Sequence, residues 1–370
     1  MENYYTETEF NELVDSLVDA VGNFNLVVFI GAGISLSQGY PNWNGYIEKL
    51  IHFWQFNIRN FEETKGKIDN RLLSCFDEIL KSNNTNKRKI DLLHTLLNDI
   101  LGEKFSEAKL DFEKYFFNSV VPDYIENSIL TNLIKLNPMF ITSNYDFEIE
   151  RHLKRSKQKG TFIPINNLRE FRDLDCILRS NDVLHLHGTT NGDSSFFVNS
   201  SYDYSRQYLK QPDDFNKLRE WFQDKNPVVL FLGSSMEEEE ILSLLPATTK
   251  NFALMKANSS ETDIFRNLYN KTYQKNNNTT IFWYGDSYDG LGEKLNEIVT
   301  AVQSKLDIPE SVDDWNTLHT IATEDGLYRA TLEKYIEDDR FLFDIFKTED
   351  PDLVDKILRN ILVVTFYLKK

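Results

Sequence analysis

Four apolar runs in this chain end abruptly in small or polar residues, and no other feature constrains its fold as much. Leu26–Ile30 gives way to Gly31-Ala32-Gly33-Ile34-Ser35, and Met139-Phe140-Ile141 to Thr142-Ser143-Asn144-Tyr145-Asp146. Val183-Leu184 gives way to His185-Leu186-His187-Gly188, and Val228–Leu232 to Gly233-Ser234-Ser235. A run that is apolar at every position suits a strand buried on both faces, as in a parallel sheet covered by helices. Further strands are expected near 161–164, 252–256 and 280–284, alternating with helices near 146–155, 213–224, 237–245, 261–273 and 290–305. This alternation predicts an α/β fold, a doubly wound Rossmann-like parallel sheet. Ligands of such sheets bind beyond the carboxyl ends of the strands, so the four endings are expected to converge there.

Upstream, Phe10, Leu13, Leu17, Val18 and Val21 recur at helical spacing behind Thr6 and Glu9, a capping-box pair, so a helix leads into the first strand. After the first turn, Pro41-Asn42-Trp43-Asn44 opens a helix through about Gln55. Residues 57–135 then read as mostly helical, broken at Lys81-Ser82-Asn83-Asn84-Thr85-Asn86. A parallel crossover needs only about a dozen residues, so 57–135 is expected to be an inserted helical module within a domain spanning 1–305. Leu306-Asp307-Ile308-Pro309 marks a boundary, and 306–370 is expected to form a C-terminal helical extension. Its last part, from Ile357 to Tyr367, is apolar enough to require a covering surface on this chain or another subunit.

Against 41 Lys and Arg stand 58 Asp and Glu, a formal charge of −17, which argues against broad binding to nucleic acid or an anionic membrane. The basic stretch from Arg151 to Lys157 reads either as a local patch or as the solvated end of a helix, where cations suit the dipole. Two cysteines, Cys75 and Cys176, make no disulfide framework, fit a reducing cytoplasm, and are too few for a four-cysteine zinc site. The first residues lack the pattern of a signal peptide, and no run of about 18 apolar residues occurs.

The first turn departs from the dehydrogenase fingerprint, because Leu36 stands where a third glycine would be. Gly31 and Gly33 nevertheless permit close approach of the backbone to a pyrophosphate, and Ser35 adds a hydroxyl. A purely structural βα turn is the other reading. Asn144 offers a donor and an acceptor to a ribose hydroxyl or a water, yet it and Asp146 are also good helix N-caps. His187 ends a strand where its imidazole can reach the crevice, and His185, two residues earlier, reads as a satisfied core histidine. Glu237-Glu238-Glu239-Glu240 reads as the acidic first turn of a helix.

Together, Gly-Ala-Gly-x-Ser, Thr-x-Asn-Tyr-Asp, His-Gly and Gly-x-Ser, in that order, resemble the sirtuin superfamily over roughly residues 20–305. They resemble more closely its bacterial branch of sirtuin-like NAD hydrolases of antiphage defence. The resemblance implies that NAD is the substrate, with Gly31, Ala32, Gly33, Ser35, Gly233 and Ser234 or Ser235 binding it. It implies that Asn144 is essential for cleaving the nicotinamide–ribose bond and that His187 is the general base; Asp146 would stabilise positive charge on the ribose. Many relatives carry an Asp a few residues after the Gly-x-Ser serine, for which the resemblance offers Glu238 or Glu239 here. The missing zinc cysteines, Tyr145 and the helical insert favour an NAD glycohydrolase without zinc over an NAD-dependent protein deacylase. A module that senses NAD or an ADP-ribose derivative and gates a partner is the alternative of a different class. The resemblance also implies a homo-oligomer, and a separate HerA-type ATPase or phage-derived trigger.

Overall fold

The computed structural model describes residues 5–61, 68–103, 124–156, 162–189, 197–246, 248–258, 260–285 and 287–306, with Thr64, Phe105 and Lys109. The expected C-terminal helical extension lies outside the described residues, as does the part of the insert at 110–123.

Seven parallel strands form one sheet: β1 (Leu26–Ile30), β2 (Met139–Thr142), β3 (Pro164–Ile165), β4 (Val183–His185), β5 (Val228–Leu232), β6 (Asn251–Met255) and β7 (Thr279–Trp283). Their order is β3-β4-β2-β1-β5-β6-β7, the doubly wound α/β arrangement that the alternation predicts. The chain runs outward from β1 in both directions, so the switch point of the topology lies between β1 and β5.

Because side chains alternate across a strand, each strand supplies two cores. Val28, Ile30, Phe140, Val183, Leu230, Leu232, Phe252 and Phe282 face one way. They are covered by the helices Glu7–Gly22, Ser128–Ile134, Glu148–Arg155 and Tyr288–Leu306. Val27, Phe29, Ile141, Leu184, Val229, Phe231 and Ile281 face the other way, under Leu168–Asp173 and Asp213–Lys225. The expected capping box opens Glu7–Gly22, with Thr6 accepting from the Glu9 N–H and Glu9 accepting from the Thr6 N–H.

A third core belongs to the helices between β1 and β2. Tyr46, Leu50 and Trp54 of the helix Trp43–Asn57 pack with Phe76 of Asn70–Lys81 and with Ile90, Leu93 and Leu97 of Asn86–Leu101. Ser128–Ile134 instead buries Ile129, Leu130 and Leu133 against the sheet.

Some boundaries differ from those expected. The strand expected near 161–164 is the two-residue edge pair Pro164–Ile165. The strand expected to run to His187 ends at His185, leaving His187 in the turn beyond it. The helix expected at 237–245 shrinks to Glu239–Leu242, so Glu237 and Glu238 stay outside helical structure. Past His185 and Leu242 the side chains stay buried although the regular structure has ended: Leu186 is fully buried and Leu244 nearly so.

Candidate active site

The strand register brings the four endings together. Ile30 pairs with Thr142 on one side and with Leu232 on the other, and Thr142 pairs with His185. These four residues form one row across the sheet, so the segments that follow them leave at the same level. Asn144, Asp146, His187, Gly31, Ala32, Gly33, Ser35, Gly233, Ser234 and Ser235 all line a single cavity of about 710 Å³. That volume lies within the range of sites for small molecules and cofactors.

At the switch point the β1 and β5 turns touch through their backbones. Gly31 donates its N–H to the Leu232 carbonyl, and Gly33 donates to the Gly233 carbonyl, both at 2.8 Å. A Cβ on Gly31 would stand 2.5 Å from the Gly233 oxygen, and Gly233 itself has φ +66°. The glycines are therefore required by the contact between the two turns, whatever ligand they also admit. The Gly33 N–H is already committed to protein.

Ser35 links the β1 turn to the β2 loop. Its hydroxyl donates to Asp146 Oδ2 at 2.7 Å and accepts from Asn144 Nδ2 at 3.0 Å. The Asn144 N–H donates to Thr142 Oγ1, whose hydroxyl donates to the Ile30 carbonyl. The two N-cap candidates thus part company. Asp146 Oδ1 accepts from the first N–H of the helix Glu148–Arg155, whereas the Asn144 amide is turned to Ser35. Burial raises the Asp146 carboxyl above the usual carboxylate range, against the hydrogen bonds from Ser35 and the Glu148 backbone, which lower it.

His185 is fully buried and satisfied. Nε2 lies 2.8 Å from Glu150 Oε1, and Nδ1 donates to the Asn144 carbonyl at 3.0 Å. Burial opposes its charge, but the Glu150 carboxylate prevails and its pKa is raised. His187 is set differently. Burial, aided by the Lys87 ammonium, pushes its pKa down to about 3, so the ring is neutral. The Tyr204 hydroxyl lies 3.3 Å from Nδ1, while Nε2 has no partner.

Several lining residues have no signal in the strand endings. Trp43 and Tyr46 stack at 5.3 Å and meet the Tyr145 ring. Lys87, from Asn86–Leu101, sits 3.1 Å over the Tyr204 ring, and Glu238 faces His187. Trp43 and Tyr46 share a helix face at i,i+3 spacing, but nothing local distinguishes that pair from core. Lys87 and Tyr204 reach the crevice only through tertiary packing.

Residues 138–283 match the family model described as SIR2-like domain. No curated protein matches the chain. The matched stretch carries β2 to β7 with Asn144, Asp146, His187, Gly233, Ser234 and Ser235, while the β1 turn lies outside it and completes the same cavity. The match supports a sirtuin-like α/β domain, and SIR2-like domains bind NAD and are generally enzymes that use it. Among the described residues no cluster of three His, Cys, Asp or Glu could hold a metal ion, and no helix is long and apolar enough to cross a membrane.

Proposed function

We propose that the crevice binds NAD and hydrolyses its nicotinamide–ribose bond, giving nicotinamide and ADP-ribose. One observation carries the reading: the ten residues chosen from sequence, drawn from four distant segments, line one cavity at the carboxyl edge of a parallel sheet. In this reading the pyrophosphate lies along the Gly31–Gly233 contact. Asn144, held by Ser35 and Thr142, orients the ribose, and the neutral His187 stands beside it with Nε2 open to the cavity. Asp146 faces the positive charge that develops on the ribose as nicotinamide leaves. The cationic nicotinamide ring finds the aromatic faces of Trp43, Tyr46 and Tyr145 at the same cavity.

The cellular role proposed with this chemistry is NAD depletion during phage infection, by a homo-oligomer that responds to a HerA-type ATPase or a phage-derived trigger. It rests on the family resemblance. The test is nicotinamide release from NAD by wild type, Asn144→Ala and His187→Ala, with an acyl-lysine peptide as the competing substrate. Release by wild type that both variants lose supports the hydrolase. Deacylation of the peptide would make the protein a deacylase, and NAD binding without turnover under every condition would make it a sensor.

A further inference from the structure

Two buried polar atoms in the cavity face each other without partners. His187 Nε2 and Glu238 Oε2 are 4.0 Å apart, and neither makes a hydrogen bond to protein. The separation is too long for a direct bond but suits a single oxygen donating to one and lying within reach of the other. The His187 ring is held firmly, and Glu238, whose side chain is 38% exposed, is fixed through its backbone. His187 is 3% exposed, its carbonyl accepts from the Val198 N–H at 2.9 Å, and the Tyr204 and Tyr208 rings meet its imidazole edge-on. Glu238 precedes the helix Glu239–Leu242 and accepts with its backbone carbonyl from the Ile241 and Leu242 N–H groups. Its side chain makes no capping bond and turns into the cavity, which is not what an acid stabilised by a helix N-terminus does.

On the hydrolase reading above, we propose that His187 and Glu238 together hold the attacking water, and that the Glu238 carboxylate takes its proton. The C1′–N bond breaks with both electrons going to the nicotinamide nitrogen, which becomes neutral. A lone pair of the water oxygen forms the new bond to C1′. The proton it loses passes to Glu238 and then to solvent, so NAD⁺ and water give nicotinamide, ADP-ribose and one proton.

The surroundings suit this task. Burial raises the Glu238 pKa to about 7, with Lys87 opposing the rise and Glu240 adding to it. The other titratable groups that face it are His187, which is neutral, and the phenols of Tyr145, Tyr204 and Tyr208, which burial first and then neighbouring phenols and acids hold protonated. The base is therefore half formed near neutrality, and hydrolysis rises with pH through about 7.

The test measures, on full-length protein given NAD and radiolabelled nicotinamide, both net nicotinamide release and exchange of label into NAD. Exchange breaks and remakes the C1′–N bond without water, so it isolates the water step. Glu238→Gln is expected to lower hydrolysis by roughly 10²-fold or more, the usual contribution of a positioned base, and to flatten the pH profile. Exchange is retained or becomes visible. Glu220→Gln, exposed on the helix Asp213–Lys225 and outside the cavity lining, leaves both rates unchanged. Parallel loss of hydrolysis and exchange in Glu238→Gln, or an unchanged ratio, overturns the proposal. Should that variant fail to fold, Glu238→Asp is expected to lower the hydrolysis-to-exchange ratio by a smaller factor, and an unchanged ratio again overturns it. Wild-type protein that shows neither release nor exchange under any condition would instead remove the hydrolase reading itself.

Discussion

Gly33 and Gly233 are joined backbone to backbone, with the Gly33 N–H donating to the Gly233 carbonyl at 2.8 Å. A Cβ on Gly33 would stand 2.9 Å from both the Cα and the oxygen of Gly233, atoms that cannot swing aside. Gly33→Ala is expected to cost about 1–3 kcal/mol, the usual effect of overpacking, seen as a lower Tm, and to weaken NAD binding by displacing the β5 turn. Gly292→Ala supplies the contrast. Its Cβ would meet only the Ser128 hydroxyl and an Ile129 carbon at ordinary contact distance, inside the helix Tyr288–Leu306. It should be neutral or stabilising by about 0.5–1 kcal/mol. Equal Tm values for the two variants would contradict the argument.

Ser35→Ala removes one hydroxyl that serves two catalytic candidates. Asp146 Oδ2 loses its donor and the Asn144 amide its acceptor. Leaving a buried carboxylate oxygen unsatisfied costs about 1–3 kcal/mol, so urea unfolding should report a loss of that size. With the Ser35 bond gone, the Asp146 pKa moves further up, because that bond opposes the effect of burial. The rate of nicotinamide release should fall by roughly tenfold or more if ~1.4 kcal/mol of the lost positioning is expressed in the transition state. A variant with wild-type kcat would show that Ser35 only supports the fold.

The Glu150–His185 pair predicts a pH dependence of stability. The folded pKa of His185 lies above 6.5, its value in the unfolded chain. Below 6.5 the imidazolium is present in both states and the pair contributes fully. As pH rises past 6.5 the unfolded chain releases its proton first, and the contribution is lost as the folded pKa is passed. Glu150→Gln should abolish this alkaline decline in urea midpoints and destabilise the protein by up to about 3–5 kcal/mol at acid pH, as for a broken buried pair. Since His185 Nδ1 also holds the Asn144 carbonyl, kcat should fall while KM for NAD changes little. An unaltered pH slope would sink the assignment.

The parts of the site that follow strands were legible because strand ends leave a strong local mark: continuous apolar residues, then Gly31, Asn144, His187 or Gly233. The sheet register then does the gathering, and any doubly wound topology with this order produces it. Glu238 was harder to read, since an acid before a short helix has a sufficient local explanation. The family resemblance left Glu238 and Glu239 both open as substitutes for the relatives' Asp, and the unpartnered oxygen opposite His187 singles out Glu238. Lys87 and Tyr204 were invisible, because their place depends on how the helix Asn86–Leu101, inserted after β1, meets the helix Ser201–Ser205, which follows β4, at the crevice. The same applies to His152, whose basic neighbourhood suggested a surface patch. Its ring is buried, donating to the Glu148 carbonyl and accepting from the Asn127 N–H, and Arg155 stacks on Tyr124.

Tyr145 and His187 grip the same residue from two sides. The Tyr145 hydroxyl donates to the Val198 carbonyl at 2.7 Å, and the Val198 N–H donates to the His187 carbonyl at 2.9 Å. The Tyr145 ring also stacks on Phe197 at 4.3 Å, so the phenol ties the β2 loop to the segment that supports His187. Tyr145→Phe keeps the stacking and removes one hydrogen bond, which should cost about 0.5–1.5 kcal/mol of stability and lower kcat a few-fold through looser placement of His187. Tyr145→Ala removes the ring from the cavity wall as well, and should cost about 3–5 kcal/mol, as for other large-to-small aromatic changes, with KM for NAD now rising too. Thermal unfolding and steady-state nicotinamide release separate the two effects. Should Tyr145→Phe abolish release while its Tm stays at the wild-type value, the hydroxyl would have to act on the substrate itself, and its service to Val198 would be secondary.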